Sequence, residues 1–272
     1  MSISEAGVAA DVRLPDHMDL PCSDDAVVEN LHELPEALLL TFCLGPTLAR
    51  LHPADDYLIG SNAAIYWDQT DEPWDGSIAP DWFYVPGVSG IDGEGRGKRS
   101  YVMWQEHVPP LIVVEFISNS RGRERDRTPG KGKFWIYEQA IGARYYAIFD
   151  PIARPGTLEA YRLVDGSYTP MDRDPLGRFA IPELGATLGL WEGKFLALGG
   201  PWLRWYAADG TLLEYTAEQV AQAVRRAEES ERRAEESERR AEESERVARE
   251  EARRSAALAA KLRALGIDPD AP

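Results

Sequence analysis

Glu115 stands inside the run LIVVEFI at residues 111–117, a carboxylate among six apolar neighbours. An ionised carboxylate in such a setting needs a cation or strong hydrogen bonds to repay its desolvation. Three other residues have the types and spacing to share a site with it. Asp81, preceded by Pro80, opens the strand-like WFYV and places a second carboxylate at the end of a neighbouring strand. Lys133 and Tyr137 are four residues apart on a segment of helical pattern, hence on one face. Two carboxylates and a lysine at one sheet edge suit hydrolysis of a phosphodiester with Mg²⁺ (or Mn²⁺). The carboxylates hold the ion, the ion polarises the phosphate and lowers the pKa of a bound water, and the ammonium stabilises developing charge. Each residue also has a plainer role when taken singly: Glu115 as the ion-pair partner of a loop arginine, Asp81 as a turn residue, Lys133 as a solvated helix start, Tyr137 as a core aromatic.

The elements that must position these groups follow from pattern. Residues 111–117 lie between Pro109-Pro110 and Ser118-Asn119-Ser120 and read as a central strand buried on both faces. KFWIYEQAIG has helical spacing and ends at Gly142; RYYAIFDP then reads as a strand closed by Pro151. Strand, helix, strand in this order implies a sheet with a parallel crossover. LEAYRLV and SYTPM predict a hairpin across Asp165-Gly166. Upstream, PEALLLTFCLG fits a helix with Pro35 in its first turn and Gly45-Pro46 as its stop, and YLIG, AAIYW and DWFYVPG suggest two or three strands. Residues 172–213, rich in Gly, Pro and Trp, are expected to wrap this core without adding a second large domain.

Four segments follow: an irregular arm over residues 1–24, a globular domain over 25–213, a charged heptad-repeat helix over 214–265 and a disordered tail over 266–272. RRAEESE occurs three times in succession over residues 225–245. Its seam of Ala227, Ser230, Ala234, Ser237, Ala241 and Ser244 is thinly apolar, while Glu228 and Arg232 repeat a favourable i,i+4 pair. A solvated single helix and a weak coiled coil, joining copies of the chain or a protein partner, both fit.

Charge narrows the partners. The net charge is -16, and residues 1–213 alone hold 31 acids against 18 bases. Such a field repels nucleic acid unless positive charge is concentrated. Arg121, Arg123, Arg125, Arg127, Lys131 and Lys133 supply a concentration within 13 residues, and Arg96, Lys98 and Arg99 a smaller one. Cys22 and Cys43 have no CxxC spacing, and His17, His32, His52 and His107 no HExxH pairing. GKGK at residues 130–133 lacks the spacing of a phosphate loop, and there is no GxSxG elbow. With neither an apolar leader nor a membrane-spanning run, the expectation is a cytoplasmic protein that does not engage a membrane.

The segments APDWFYVPGV, PPLIVVEFISNS, ERDRTPGKGKFWIYEQ and RYYAIFDP, in this order, resemble the Uma family of putative restriction endonucleases, a branch of the PD-(D/E)XK nuclease superfamily. The resemblance runs from about residue 15 to about residue 205. It implies an α/β, restriction-endonuclease-like mixed sheet flanked by helices, to which this chain adds the extended charged helix. Pro80-Asp81 matches the PD half-motif and Glu115 the acidic residue of the second half, whose lysine position holds Ile117. The resemblance therefore points to Lys133 for the missing ammonium. It further implies that Asp81, Glu115 and the Phe116 carbonyl ligate the metal, that Asp126 orders the basic loop, and that Tyr137 supports the site. A glutamate of the first helix, Glu29 or Glu33, sometimes completes such centres. Arg121, Arg123, Arg125, Arg127 and Lys131 would meet DNA phosphates.

Two readings stand at this point. One is a metal-dependent endonuclease acting on DNA. The other is a catalytically inactive interaction module that keeps the fold and binds protein partners through its acidic surface and C-terminal helix.

Overall fold

A computed structural model describes residues 31–70, 73–92, 95–117, 123–153 and 156–215, with isolated residues beyond. The expected arm over residues 1–24, and nearly all of the expected charged helix and tail, lie outside the described residues. The chain divides into two compact units, Met1–Tyr215 and Thr216–Pro272. In the second, Arg240 pairs with Glu236 at 2.6 Å, at the same i,i+4 spacing and polarity as Glu228 and Arg232.

In the first unit, α1 (Glu33–Leu51) leads into β1 (Tyr57–Gly60), β2 (Ile65–Tyr66), β3 (Ser77–Ile78) and β4 (Trp82–Pro86). Next come β5 (Tyr101–Val102), the short α2 (Met103–Glu106) and β6 (Ile112–Phe116). A 3₁₀ turn at Arg123–Arg125 precedes α3 (Lys133–Trp135), which continues as a π-helical turn over Ile136–Ile141. Then follow β7 (Tyr145–Asp150), β8 (Thr157–Val164), β9 (Ser167–Pro170), β10 (Phe179–Ile181), β11 (Ala186–Phe195) and β12 (Leu198–Ala207).

The main sheet has the order β1-β4-β6-β7-β8-β9, with β6 and β7 parallel and the other pairs antiparallel. It is the mixed sheet expected, and the parallel pair is the one predicted from strand, helix, strand. β6 is central and every one of its residues is buried, as a nearly continuous apolar run requires. The hairpin between β8 and β9 turns on Asp165 and Gly166, both at positive φ, the conformation that two-residue hairpins favour. α3 ends where Gly142 takes a left-handed φ of 71°.

One face of this sheet carries Phe83, Val85, Val113, Tyr146 and Ile148, packed with Phe134, Ile136 and Tyr137 of the α3 segment. On the other face, Trp82 meets α1: its indole N–H donates to Thr41 Oγ1 at 2.9 Å, and its ring lies 6.2 Å from that of Trp205. Trp205 in turn donates to the Leu40 carbonyl. Among the described residues, helices are fewer than a sheet flanked on both sides implies. Residues 172–213 do more than wrap the core, because β10, β11 and β12 form a second antiparallel sheet against α1.

α1 does not stop at Gly45-Pro46 as expected. It runs on to Leu51, because Thr47 and Leu48 beyond the proline are buried and the packing they gain offsets the hydrogen bond that Pro46 cannot donate. By length and composition alone α1 would cross a membrane, yet half of that window is buried inside the unit, as a core helix should be.

Candidate active site

Alternation along β6 sends Val113 and Glu115 to the face that α3 covers. Glu115 is fully buried, and both its oxygens find donors. Lys133 Nζ lies 2.7 Å from Oε2, and the Tyr137 hydroxyl donates to Oε1 at 2.5 Å. Both donors come from the α3 segment, whose change to a π turn falls between them. Glu115 is thus repaid by a helix-start lysine and a buried phenol rather than by a loop arginine.

Asp81 immediately precedes β4, which runs antiparallel to β6 with Trp82 opposite Val114. The Asp81 carboxylate accepts a hydrogen bond from the Phe116 N–H, substituting for a ladder partner where the two strands part. Burial pushes the Asp81 carboxyl well above its usual range, and the neighbouring Glu115 charge pushes it further, against the opposing pull of Lys133. Burial acts to lower the Lys133 ammonium, but the carboxylates of Glu115 and Asp81 outweigh it and the net shift is upward. Lys133 therefore stays charged. Its side chain is 23% exposed while that of Glu115 is 0% exposed, so the lysine links the buried glutamate to the surface. Burial and then the Glu115 charge hold the Tyr137 phenol protonated, which keeps it a donor.

Asp81, half-buried, and Glu115, fully buried, are hard oxygen donors with the Lys133 ammonium beside them. That donor set fits a divalent cation such as Mg²⁺ or Mn²⁺. Among the described residues no three His, Cys, Asp or Glu side chains gather closely enough to hold an ion by themselves. Water and phosphate oxygens would complete the shell, as Mg²⁺ commonly requires. Phe116, expected to lend its carbonyl, is the last residue of β6 and turns its ring onto Phe149 at 6.3 Å. Ile117, at the lysine position, keeps the ladder by donating to the Phe149 carbonyl at 2.7 Å, and its side chain packs on the core, so that position supplies no charge.

The basic loop is less free than its composition suggests. Arg125 makes a forked pair with Glu159, with Nη2 at 2.6 Å and Nε at 3.2 Å from Oε1. The Arg127 guanidinium sits 3.7 Å over the Phe134 ring and 3.6 Å from Glu138. Lys131 is exposed, Arg123 opens the 3₁₀ turn, and Arg121 lies outside the described residues. Asp126 orders the loop: its Oδ1 accepts from the Thr128 N–H at 2.8 Å and the Thr128 hydroxyl at 2.6 Å. Those two bonds lower its pKa. Its carbonyl accepts from the Phe134 N–H at 3.0 Å, tying the loop to α3.

Two carboxylates join this neighbourhood without a strong sequence signal. Glu33, in the first turn of α1, adds to the charge that raises Asp81; Glu29 lies outside the described residues. Glu124 reads in sequence as an interruption of the arginine cluster, yet it is buried, and its charge is felt at Lys133.

The pattern of a family described as Uma2, putative restriction endonuclease, matches residues 26–199. A solved crystal structure of a putative nuclease belonging to DUF820 from Anabaena variabilis is similar at 13% identity. The match covers 55% of this chain and 73% of that one, with a TM-score of 0.36. No curated protein matches the chain.

Proposed function

The chain belongs to the Uma2 family of putative restriction endonucleases, and we propose that it is a divalent-metal-dependent endonuclease that hydrolyses phosphodiester bonds of DNA. The observation that carries this reading is the meeting of Asp81, Glu115 and Lys133 at the strand ends of β4 and β6, with the lysine supplied from α3. Asp81 and Glu115 would hold Mg²⁺ or Mn²⁺, which when bound polarises the phosphate and acidifies a water. Lys133 keeps its charge beside them and offers an ammonium to a phosphate oxygen or to the attacking water. Tyr137 fixes the rotamer of Glu115 through Oε1. Lys131, exposed at the loop, is the cation best placed to meet the nucleic-acid backbone.

The test is nicking of supercoiled plasmid with Mn²⁺ by the wild type, Asp81→Asn and Glu115→Gln. Loss in both variants, with folding retained, supports the reading; cleavage by either would remove that residue from the centre.

One observation favours the second reading, a nuclease fold kept as an interaction module. Arg125 and Arg127 are committed to Glu159 and Glu138, which leaves the loop with less free positive charge than DNA binding calls for. A wild type inactive on duplex and single-stranded DNA with both ions would turn the assignment to that module.

A further inference from the structure

Glu124 has no part in the chemistry proposed above. It is 6% exposed, and its Oε2 has no hydrogen-bond partner among the described residues. A buried acceptor left empty is costly and calls for a reason. The turn that carries it is held through its main-chain groups. The Tyr146 hydroxyl donates to the Glu124 carbonyl at 2.8 Å, and the Asp126 N–H donates to the Arg123 carbonyl at 3.1 Å. Together with the Phe134 N–H to Asp126 carbonyl bond, these pin the turn against the start of α3, whose first residue is Lys133.

The Lys133 ammonium therefore has two kinds of carboxylate in electrostatic reach. It bonds Glu115, and it feels the charge of Glu124, whose Oε2 has no partner among the described residues. A cation taking Glu115 Oε2 would meet the Lys133 ammonium at the same oxygen, and the two positive charges repel. Lysine has a flexible four-carbon stem and three donors, so its ammonium can turn from one carboxylate toward another. Resting on the reading of Asp81 and Glu115 as cation ligands, we propose that Glu124 is a positioning residue that receives the Lys133 ammonium when Glu115 turns to a divalent cation. It thereby sets the affinity of the site for that cation.

The experiment is titration of the full chain with Mn²⁺ alone, read by calorimetry. Glu124→Gln should raise the Kd about tenfold, the lower end of what a lost outer partner of a metal site costs. The metal-free melting temperature should be unchanged or higher, since a buried charge has gone. In a Lys133→Met background the same substitution should change the Kd less than about twofold, because the lysine through which Glu124 acts is absent. If Glu124→Gln does not fold, Glu124→Met, apolar and of similar length, takes its place with the same expected loss. Wild-type affinity in the variant would overturn the proposal. An equal loss in the Lys133→Met background would overturn it too, placing Glu124 on the ion directly. A wild type that takes up no Mn²⁺ would overturn both this proposal and the assignment of Asp81 and Glu115, which separates the two failures.

Discussion

The Tyr137 hydroxyl lies 2.5 Å from Glu115 Oε1, so a helix residue buried in the aromatic core fixes the carboxylate of the central strand. Its ring is itself held, 5.0 Å from that of Tyr146, whose hydroxyl reaches the Glu124 carbonyl. Orientation of Glu115 is therefore coupled to the position of the loop turn through two tyrosines. The α-to-π change after Trp135 sits between the two residues that serve the carboxylate, in keeping with the frequency of π turns at functional sites.

Tyr137→Phe removes one of the two donors on Glu115 and keeps the ring. The carboxylate then has an unsatisfied oxygen at a fully buried position, which should cost about 1.5–3 kcal/mol of stability. Urea unfolding of the metal-free chain measures it. A change below about 0.5 kcal/mol would mean that the phenol and carboxylate are not bonded in solution.

Gly132→Ala tests how the loop is fastened to α3. A Cβ at this position would lie 2.2 Å from the Asp126 carbonyl oxygen and 2.7 Å from the Thr128 nitrogen, both backbone atoms that cannot step aside cheaply. The expected result is a loss of about 1–3 kcal/mol, typical of overpacking. The Phe134 amide, which donates to the Asp126 carbonyl, should exchange faster with solvent. Unchanged protection at Phe134 would show that the turn is not held as described.

Glu36 gives a pH prediction away from the candidate site. It is fully buried on α1 and its Oε1 accepts from the Leu203 N–H, while Oε2 has no partner among the described residues. Burial raises its pKa well above the ordinary 4.5, against the opposing effects of the Leu203 bond and the Arg204 charge. Between that ordinary value and the raised one the folded state binds more protons than the unfolded state. Stability should therefore fall as pH rises through this window, by at most about 1.4 kcal/mol per pH unit. Glu36→Gln keeps an acceptor for Leu203 and should flatten this part of the stability profile; an identical slope in the variant would assign the dependence to other groups.

Much of the frame was legible because it rests on local chemistry. The continuous apolar run at residues 111–117 has one stable place, the middle of a sheet. Asp165-Gly166 and Gly142 mark positions where φ must be positive. Lys133 and Tyr137 fall on one face by spacing, and the π turn did not separate them. What escaped depends on contacts distant in sequence. The burial of Thr47 and Leu48 carries α1 through Pro46, and Glu36 is buried because it caps a main-chain N–H of β12, 167 residues away. Arg125 and Arg127 looked like free cations because Glu159 and Glu138 reach them only once β8 and α3 are in place. Glu124 was hidden for the same reason, since nothing in RGRERDR distinguishes an acid facing inward from one facing water.

The sharpest prediction contrasts two lysines two residues apart. Lys131 precedes α3 and is exposed, its N–H bonded to the Thr128 carbonyl at 3.1 Å. Lys133 reaches Glu115 at 2.7 Å. With Ile117 packed on the core, Lys133 is the ammonium paired with the buried acids on which the proposed chemistry draws. Lys133→Ala should abolish Mn²⁺-dependent plasmid nicking. It should also leave Glu115 without its cation, at a stability cost of about 3–5 kcal/mol, so Lys133→Met, which keeps more of the packed stem, serves as the companion variant. Lys131→Ala should retain the cleavage rate at saturating DNA and weaken DNA binding mainly at low salt, where removing one phosphate contact lowers the salt slope by about one. Both variants are compared with wild type at equal folded concentration. Full nicking by Lys133→Met would reject the lysine from α3 as the catalytic ammonium, and a salt-independent defect in Lys131→Ala would remove it from the DNA-facing surface.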